Sequence, residues 1–236
     1  MPSSAEPRAA AVVVAGGQGR RVGGAVRKQY LALAGEPVLL RAIRPFLDHP
    51  RISTVVVVLP ADDAAPPPEW LASLGVRVVA GGAERGDSVW NGLMEIAGDA
   101  DLVLIHDGAR PLVTADVISR VLDACAESGA VAAVQVTDTI KEVDADGRIS
   151  GTPDRSRLWQ AQTPQGFPLA ALVDAYRQAR ADGVAATDDA AVFERYAGPV
   201  RVVVGSADSI KVTRPGDIAI AEALLRIREE AAAREG

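Results

Sequence analysis

Six short runs of mostly β-branched residues recur along this chain: "AVVVA" (11–15), "TVVVVLP" (54–60), "VRVVAGG" (76–82), "LVLIHDG" (102–108), "AVAAVQV" (130–136) and "VRVVVGS" (200–206). They are continuous rather than alternating, as strands covered on both faces are. Between them lie helical patterns over Val38–Asp48, Asp87–Ala97, Ala115–Glu127 and Leu169–Ala181, with a further helix from about Asp217 into the polar tail "REEAAAREG". Strand–helix alternation of this kind predicts an α/β fold: a doubly wound, mainly parallel sheet in a single domain spanning residues 1–236. The proline-rich "ADDAAPPPEW" is too short to separate domains, and no internal repeat is present.

One segment breaks the rhythm. Residues 138–159, "DTIKEVDADGRISGTPDRSRLW", hold two alternating stretches around an Asp-Gly pair, a strong hairpin signal. Few of its side chains are apolar, which keeps it out of the core. It reads either as a solvated loop or as an arm that leaves the body and packs on a second subunit.

Charge narrows the ligands. Lysine and arginine number 25 against 31 acidic residues, a net charge of −6, so the chain as a whole has no pull toward nucleic acid or an anionic membrane. Local basic clusters therefore need local anions. Cys125 is the single cysteine and cannot form an intrachain disulfide, which fits a reducing cytoplasm. The early apolar run follows Glu6, has only Arg8 as a positive flank, and is too short to span a bilayer, which argues against an export signal.

The first valine run ends in Gly16, Gly17 and Gly19, with Arg20, Arg21, Arg27 and Lys28 beyond them. A glycine turn at a strand end exposes backbone N–H groups to phosphate oxygens. The dinucleotide pattern G-x-G-x-x-G fails at Val22, and no Walker A sequence occurs. What remains is a set of cations where a triphosphate would lie, unless those side chains are simply solvated.

"AGGQGRRVGGAVRKQYL" resembles the N-terminal signature of nucleotidyltransferases that activate sugars and polyols. "GGAERGDSVWNGL", "HDGARPLVT", "DTIKEV", "DRSRLWQAQTPQGF", "ATDDAAVFE" and "SIKVTRPGDIAIAEALL" are similar to the 2-C-methyl-D-erythritol 4-phosphate cytidylyltransferases. The likeness runs from Val12 to the last helix. It departs at Val26-Arg27, where many members carry proline before the lysine, and at Gly108, which replaces a frequent alanine.

The resemblance implies a Rossmann-like nucleotidyltransferase fold with a protruding β-hairpin arm at about 138–159. It implies a reaction of CTP with 2-C-methyl-D-erythritol 4-phosphate, in the non-mevalonate isoprenoid pathway, giving the cytidine diphospho product and pyrophosphate. Arg21, Lys28, Arg155 and Lys211 take the catalytic positions. Ala15, Gly16 and Gly17 hold nucleotide atoms, and Gly82, Ala83 and Ser88 read the cytosine, although Ser88 equally suits the first turn of a helix. Asp107, at a strand end where ligands of open α/β sheets gather, is the expected Mg²⁺ ligand, or the ligand of another divalent cation; a helix cap is its plain alternative. Gly108, Arg110, Thr139, Thr163 and Thr187 complete the substrate contacts, while His106 is read as structural. The expected partners are CTP, a polyol phosphate and a second copy joined through the arm as a homodimer, with no nucleic acid and no membrane. Ribitol 5-phosphate as acceptor, and a nucleotide-binding regulator without catalysis, are the rival readings.

Overall fold

The computed structural model describes residues 7–17, 27–184 and 187–235. In chain order the strands are β1 (Ala9–Val14), β2 (Ala32–Leu33), β3 (Glu36–Pro37), β4 (Ile52–Leu59), β5 (Arg77–Ala80), β6 (Leu102–Asp107), β7 (Gly129–Gln135), β8 (Glu142–Val143), β9 (Ile149–Gly151), β10 (Trp159–Pro168) and β11 (Val200–Val204). The helices are α1 (Val38–Leu47), α2 (Ala61–Ala64), α3 (Glu69–Ala72), α4 (Arg85–Glu95), α5 (Ala115–Ala124), α6 (Leu169–Ala181), α7 (Asp189–Tyr196) and α8 (Gly216–Glu235).

Seven strands form one sheet in the order β11-β7-β10-β6-β1-β4-β5. The valine runs sit here because both faces of the sheet are covered. Ala9, Ala11 and Val13 of β1 face a layer that includes Leu39, Ile43 and Phe46 of α1 and Val117, Ile118 and Val121 of α5. Ala10 and Val12 face the opposite layer, with Val89 and Leu93 of α4 and Leu172 and Phe193 of α6 and α7. Burying each such side chain contributes about 1.5–3 kcal/mol, which is why a strand with no polar face is stable only in this position. A third cluster, Leu33, Val38, Leu112, Val212 and Ala221, seats α8 against the body.

The sheet is mixed, not wholly parallel. β10 runs antiparallel to both β6 and β7, and it lies between them. Its sequence, "WQAQTPQGFP", has no valine or isoleucine, so hydrophobic pattern gave no sign of it. It is a strand because its backbone is paired on both sides, and its buried polar side chains are satisfied. Gln162 donates from Nε2 to the Ser206 carbonyl at 2.8 Å, and Gln165 donates to Asp188 Oδ2 at 2.9 Å. Its pairing with β7 slips between Ala161 and Gln165. That irregularity turns Thr163 toward the end of β6.

Within residues 138–159 an exposed hairpin forms over Glu142–Gly151, while Trp159 already belongs to β10. β8 and β9 pair antiparallel around Asp146-Gly147, with Gly147 at φ +79°. Asp144 Oδ1 accepts from the N–H groups of Asp146 and Arg148, which fixes the turn. The arm is not as polar as its composition implied. Val143 and Ile149 are 59% and 65% exposed, apolar side chains held in water by a two-stranded ribbon.

Helix α4 crosses β1 and β4 at close range because Gly92 has no side chain. A Cβ there would lie 2.4 Å from Val12 Cγ1 and 3.1 Å from Val58 Cγ2. Alanine is favoured over glycine by about 1 kcal/mol in a helix, but overpacking a filled core costs about 1–3 kcal/mol. Gly92→Ala is therefore expected to lower the unfolding free energy in a denaturant titration; a stabilised variant would show that the helix can lift without cost.

Candidate active site

The site lies at the carboxyl ends of β1, β5 and β6. Beyond β4 the chain crosses to β5, whereas β6 joins the other side of β1, so ligand space opens where the winding reverses. The β1 end is pinned by the Ala15 N–H to the Val58 carbonyl at 2.8 Å. Buried Gln29 donates to the Ala15 carbonyl at 3.2 Å, tying the returning segment to the turn. A cavity of about 240 Å³ opens here, lined by Ala15, Gly16, Gly17, Lys28, Gly82, Ala83, Ser88, Asp107, Gly108 and Lys211, with Arg85 and Gln29 among its other walls. An adjoining cavity of about 150 Å³ is lined by Arg110, Thr163, Thr187, Gln165 and Asp188, and shares Arg85, Asp107 and Lys211 with the first. Two compartments thus meet over one carboxylate.

Asp107 is that carboxylate. Burial alone would raise its pKa, but cations outweigh it: Arg85 Nε stands 3.3 Å from Oδ1, Lys211 Nζ 2.7 Å from Oδ2, and Arg110 Nε 3.8 Å from Oδ2. Its carboxyl is held well below the usual carboxylate range. Arg85 is itself paired with Asp189, so three cations face two carboxylates here, and the one positive charge in excess suits phosphate oxygens. Lys211 reaches the site because its neighbour Val212 donates to the Ala109 carbonyl, while Arg110 donates to the Ser209 carbonyl at 2.7 Å.

His106 and Thr163 hold the backbone beneath it. The Asp107 N–H donates to Thr163 Oγ1 at 3.0 Å, and Thr163 Oγ1 lies 2.9 Å from His106 Nδ1. The His106 Nε2 faces the Arg110 carbonyl at 3.1 Å, an acceptor only. The chain of donors therefore runs one way: Nε2 carries the proton, and Nδ1 accepts from the Thr163 hydroxyl. Burial pushes the fully buried His106 down to about 4 and keeps it neutral. Histidine here is structural, as expected, and Thr163 is a brace for Asp107.

The turn between β5 and α4 is built from close approaches. A Cβ on Gly82 would fall 2.2 Å from Asp87 Cβ, and one on Gly16 would meet Ser88 Oγ at 3.0 Å. Ser88 is buried; its hydroxyl accepts from the Gly82 N–H at 3.1 Å and donates to the Glu84 carbonyl at 3.2 Å. Ser88 lies in the first turn of α4, and its hydroxyl shapes the turn that lines the cavity. At Gly108 a Cβ would lie 2.8 Å from Leu39 Cδ1, so an alanine there requires the leucine side chain to shift.

Thr139 and Arg155 are not brought to these cavities. Both are exposed on or near the arm, and Arg155 donates to the Thr137 carbonyl at 2.5 Å. Arg21 lies outside the described residues. Asp208, another acidic group near the strand ends, is paired with Arg228 at 3.2 Å instead. Sequence reasoning missed Arg85 and Asp189, although the quoted motifs "GGAERGDS" and "ATDDA" contain them. Arg85 donates from both terminal nitrogens to Asp189, at 3.2 and 2.7 Å, and Tyr176 donates its hydroxyl to Asp189 Oδ1 at 2.6 Å. A pairing across 104 residues leaves no local trace.

Comparison with known proteins gives one consistent family. The family model described as 2-C-methyl-D-erythritol 4-phosphate cytidylyltransferase (IspD) matches residues 9–227. A relative of that name from Symbiobacterium thermophilum is 47% identical over 215 residues, covering 91% of each chain. The crystal structure of the enzyme of the same name from Thermus thermophilus is similar at a TM-score of 0.76 and 35% identity, over 91% of this chain and 98% of that one. A 4-diphosphocytidyl-2C-methyl-D-erythritol synthase from Anaerococcus prevotii superposes at a TM-score of 0.81 with 27% identity, covering 93% and 96%.

The neutral His106 has a measurable consequence. Its native pKa of about 4 lies below the unfolded value of about 6.5, so the unfolded chain binds more protons between the two. Stability is expected to fall as pH drops from about 6.5 toward 4, by up to about 3 kcal/mol from this group. The depressed Asp107 adds its own loss only below about 4, where the unfolded carboxylate protonates. His106→Gln should flatten the upper window in denaturant titrations run across pH. An unchanged slope would mean that His106 is not held neutral.

Proposed function

The chain belongs to the 2-C-methyl-D-erythritol 4-phosphate cytidylyltransferase family, and from that premise we propose how its site works. It is a nucleotidyltransferase that joins CTP to 2-C-methyl-D-erythritol 4-phosphate and releases pyrophosphate. The observation that carries the reading is the cation-rich floor: Lys28 and Lys211 line the cavity whose base is Asp107, flanked by Arg85 and Arg110.

An acceptor phosphate oxygen attacks the α-phosphorus, and the bond from that phosphorus to the pyrophosphate oxygen breaks. The nucleophile is an anion at neutral pH, so no side chain has to remove a proton. The barrier is the approach of two anions and the charge that develops on the leaving group, which fixed cations lower. Lys28 and Arg21, at the glycine turn, are assigned to the triphosphate. The backbone at Ala15, Gly16 and Gly17 holds nucleotide atoms, and the turn Gly82–Ala83, shaped by Ser88, reads the cytosine edge. Lys211, Arg110, Thr163 and Thr187 border the acceptor compartment, while Gly108 lines the nucleotide cavity.

A divalent cation fits this donor set with Asp107 as its protein ligand. Among the described residues no group of three or more His, Cys, Asp or Glu could cage a metal, so the ion would be shared with the triphosphate, as Mg²⁺ commonly is. When bound it neutralises phosphate charge. Asp107, kept ionised and braced by Thr163, would hold it.

The exposed arm supports a homodimer in which Thr139 and Arg155 serve the partner's acceptor site. Val143 and Ile149 on the arm, and Val202 and Val204 on the edge strand β11, are exposed apolar side chains that a second copy would cover. The reading takes residues 1–236 as one domain carrying this arm, and places it in the cytoplasm, where buried, unpaired Cys125 remains a thiol. No helix among the described residues is long and apolar enough to cross a membrane.

Pyrophosphate release with CTP and Mg²⁺ should be supported by 2-C-methyl-D-erythritol 4-phosphate well above ribitol 5-phosphate; the reverse order would move the chain to the other acceptor. Lys28→Met and Lys211→Met are each expected to lower turnover by about a hundred- to a thousandfold. Near-normal rates in both would reduce these lysines to solvated surface charge. The arm is tested by mixing Lys28→Met with Arg155→Ala chains. In random two-fold pairing about half the dimers are mixed, and each mixed dimer holds one intact site, so about a quarter of wild-type activity should return. No recovery, with mixed dimers confirmed by differential tags, would place Arg155 in its own chain's site.

A further inference from the structure

The Arg85–Asp189 pair lies outside every assigned role, yet it sits at the junction of the two compartments. Arg85 opens α4, directly after the turn that lines the nucleotide cavity, and Asp189 opens α7, two residues after Thr187 in the acceptor compartment. The Asp189 side chain is fully buried, and both its oxygens are engaged by the Arg85 fork. Tyr176 Oη adds a third donor, at 2.6 Å from Oδ1. A guanidinium gripped at both terminal nitrogens cannot turn, so the direction of its Nε–H is set. That Nε points at Asp107 Oδ1, at 3.3 Å.

The three cations around Asp107 thus differ in kind. Lys211, a flexible amine with a 40% exposed side chain, holds Oδ2 and can exchange for a ligand. Arg110 stands at 3.8 Å on the same oxygen and is tied to the Ser209 carbonyl. Arg85 holds Oδ1, and of the three cations it is the one anchored by a buried carboxylate, Asp189. One oxygen is locked and the other is left to the substrates. The acceptor-side segment is fastened in parallel, since Asp188 accepts from Gln165 Nε2 at 2.9 Å and Gln165 Oε1 accepts from the Ala190 N–H at 2.9 Å.

We propose that Arg85 is a positioning residue for the transfer reaction: clamped by Asp189, it fixes the rotation of the Asp107 carboxylate and binds the Thr187–Asp189 segment to the cytosine-reading turn, so that both substrates are placed by one rigid network. This rests on the cytidylyltransferase reading above. It assigns a catalytic cost to a pair that otherwise looks like fold stabilisation.

The two roles separate cleanly by variant design. Removing Arg85 alone leaves a buried charge without its partner and endangers folding. The triple variant Arg85→Met, Asp189→Leu, Tyr176→Phe removes the buried pair and the hydroxyl together, which cores tolerate far better, and Asp107 keeps Lys211 and Arg110. The conservative Arg85→Lys keeps a charge for Asp189 but has no second fixed donor for Asp107. Both are assayed by pyrophosphate release against CTP, 2-C-methyl-D-erythritol 4-phosphate and Mg²⁺, with melting temperature recorded. A misdirected reacting group costs rate rather than binding. The triple variant, folded and melting cooperatively, should therefore lose about tenfold or more in kcat, with the CTP KM moving less than about threefold, and Arg85→Lys should show the same split. A kcat within about threefold of wild type in either folded variant would make the pair purely structural and overturn the proposal. If the triple variant does not fold, Arg85→Lys decides alone. Failure of the wild-type chain to release pyrophosphate would instead strike the cytidylyltransferase reading itself, so the two failures remain distinct.

Discussion

A single carboxylate at a strand end organises this molecule's working surface. Asp107 terminates the buried β6, and its backbone N–H is claimed by Thr163 while its side chain is claimed by Arg85, Lys211 and Arg110. Each partner comes from a different part of the chain: β10, α4, the segment before α8, and the loop after β6. Bringing four cation- and hydroxyl-bearing segments to one point stabilises none of them individually by much. It works because the sheet fixes where β6 ends, and the desolvated anion then draws the rest inward.

The consequence is a site with charge left over. Setting three cations against two carboxylates, Asp107 and Asp189, would be a poor arrangement for a protein that binds nothing there. It is a sound one for a triphosphate and a phosphomonoester that must approach each other. The field acts on both compartments at once, because Arg85, Asp107 and Lys211 border both. Neutral His106 belongs to the same balance of charge: a cationic imidazole behind Asp107 would add positive charge where no substrate can reach it.

Much of the fold was legible in the chain. Valine runs buried on both faces can only be inner strands, and helix α6 lies at the predicted Leu169–Ala181. The boundaries of α4 and α5 shifted by two or three residues, since capping by Glu84 and Asp87 starts α4 earlier than its apolar period does. β10 was hidden because its stability comes from backbone pairing on two sides and from glutamines satisfied inside the sheet, neither of which makes a periodic pattern. In the site, Lys28, Lys211 and Asp107 could be named from motifs, whereas Arg85 and Asp189 could not be joined, because the two residues meet only through the tertiary packing of α4 beside α6 and α7.

The sequence by itself determined the α/β class, the glycine turn with its cations, the hairpin at Asp146-Gly147 and the family. Each of these is a local property: hydrophobic period, turn chemistry, or a motif read in order. Tertiary structure decided that β10 enters the sheet reversed, and that Gly92 lets α4 press on β1. It also decided that two compartments share one carboxylate, and that a guanidinium gripped by a buried aspartate aims at it. Those outcomes depend on which surfaces meet across about a hundred residues of chain, where the close packing of the interior, rather than any local preference, selects the partner.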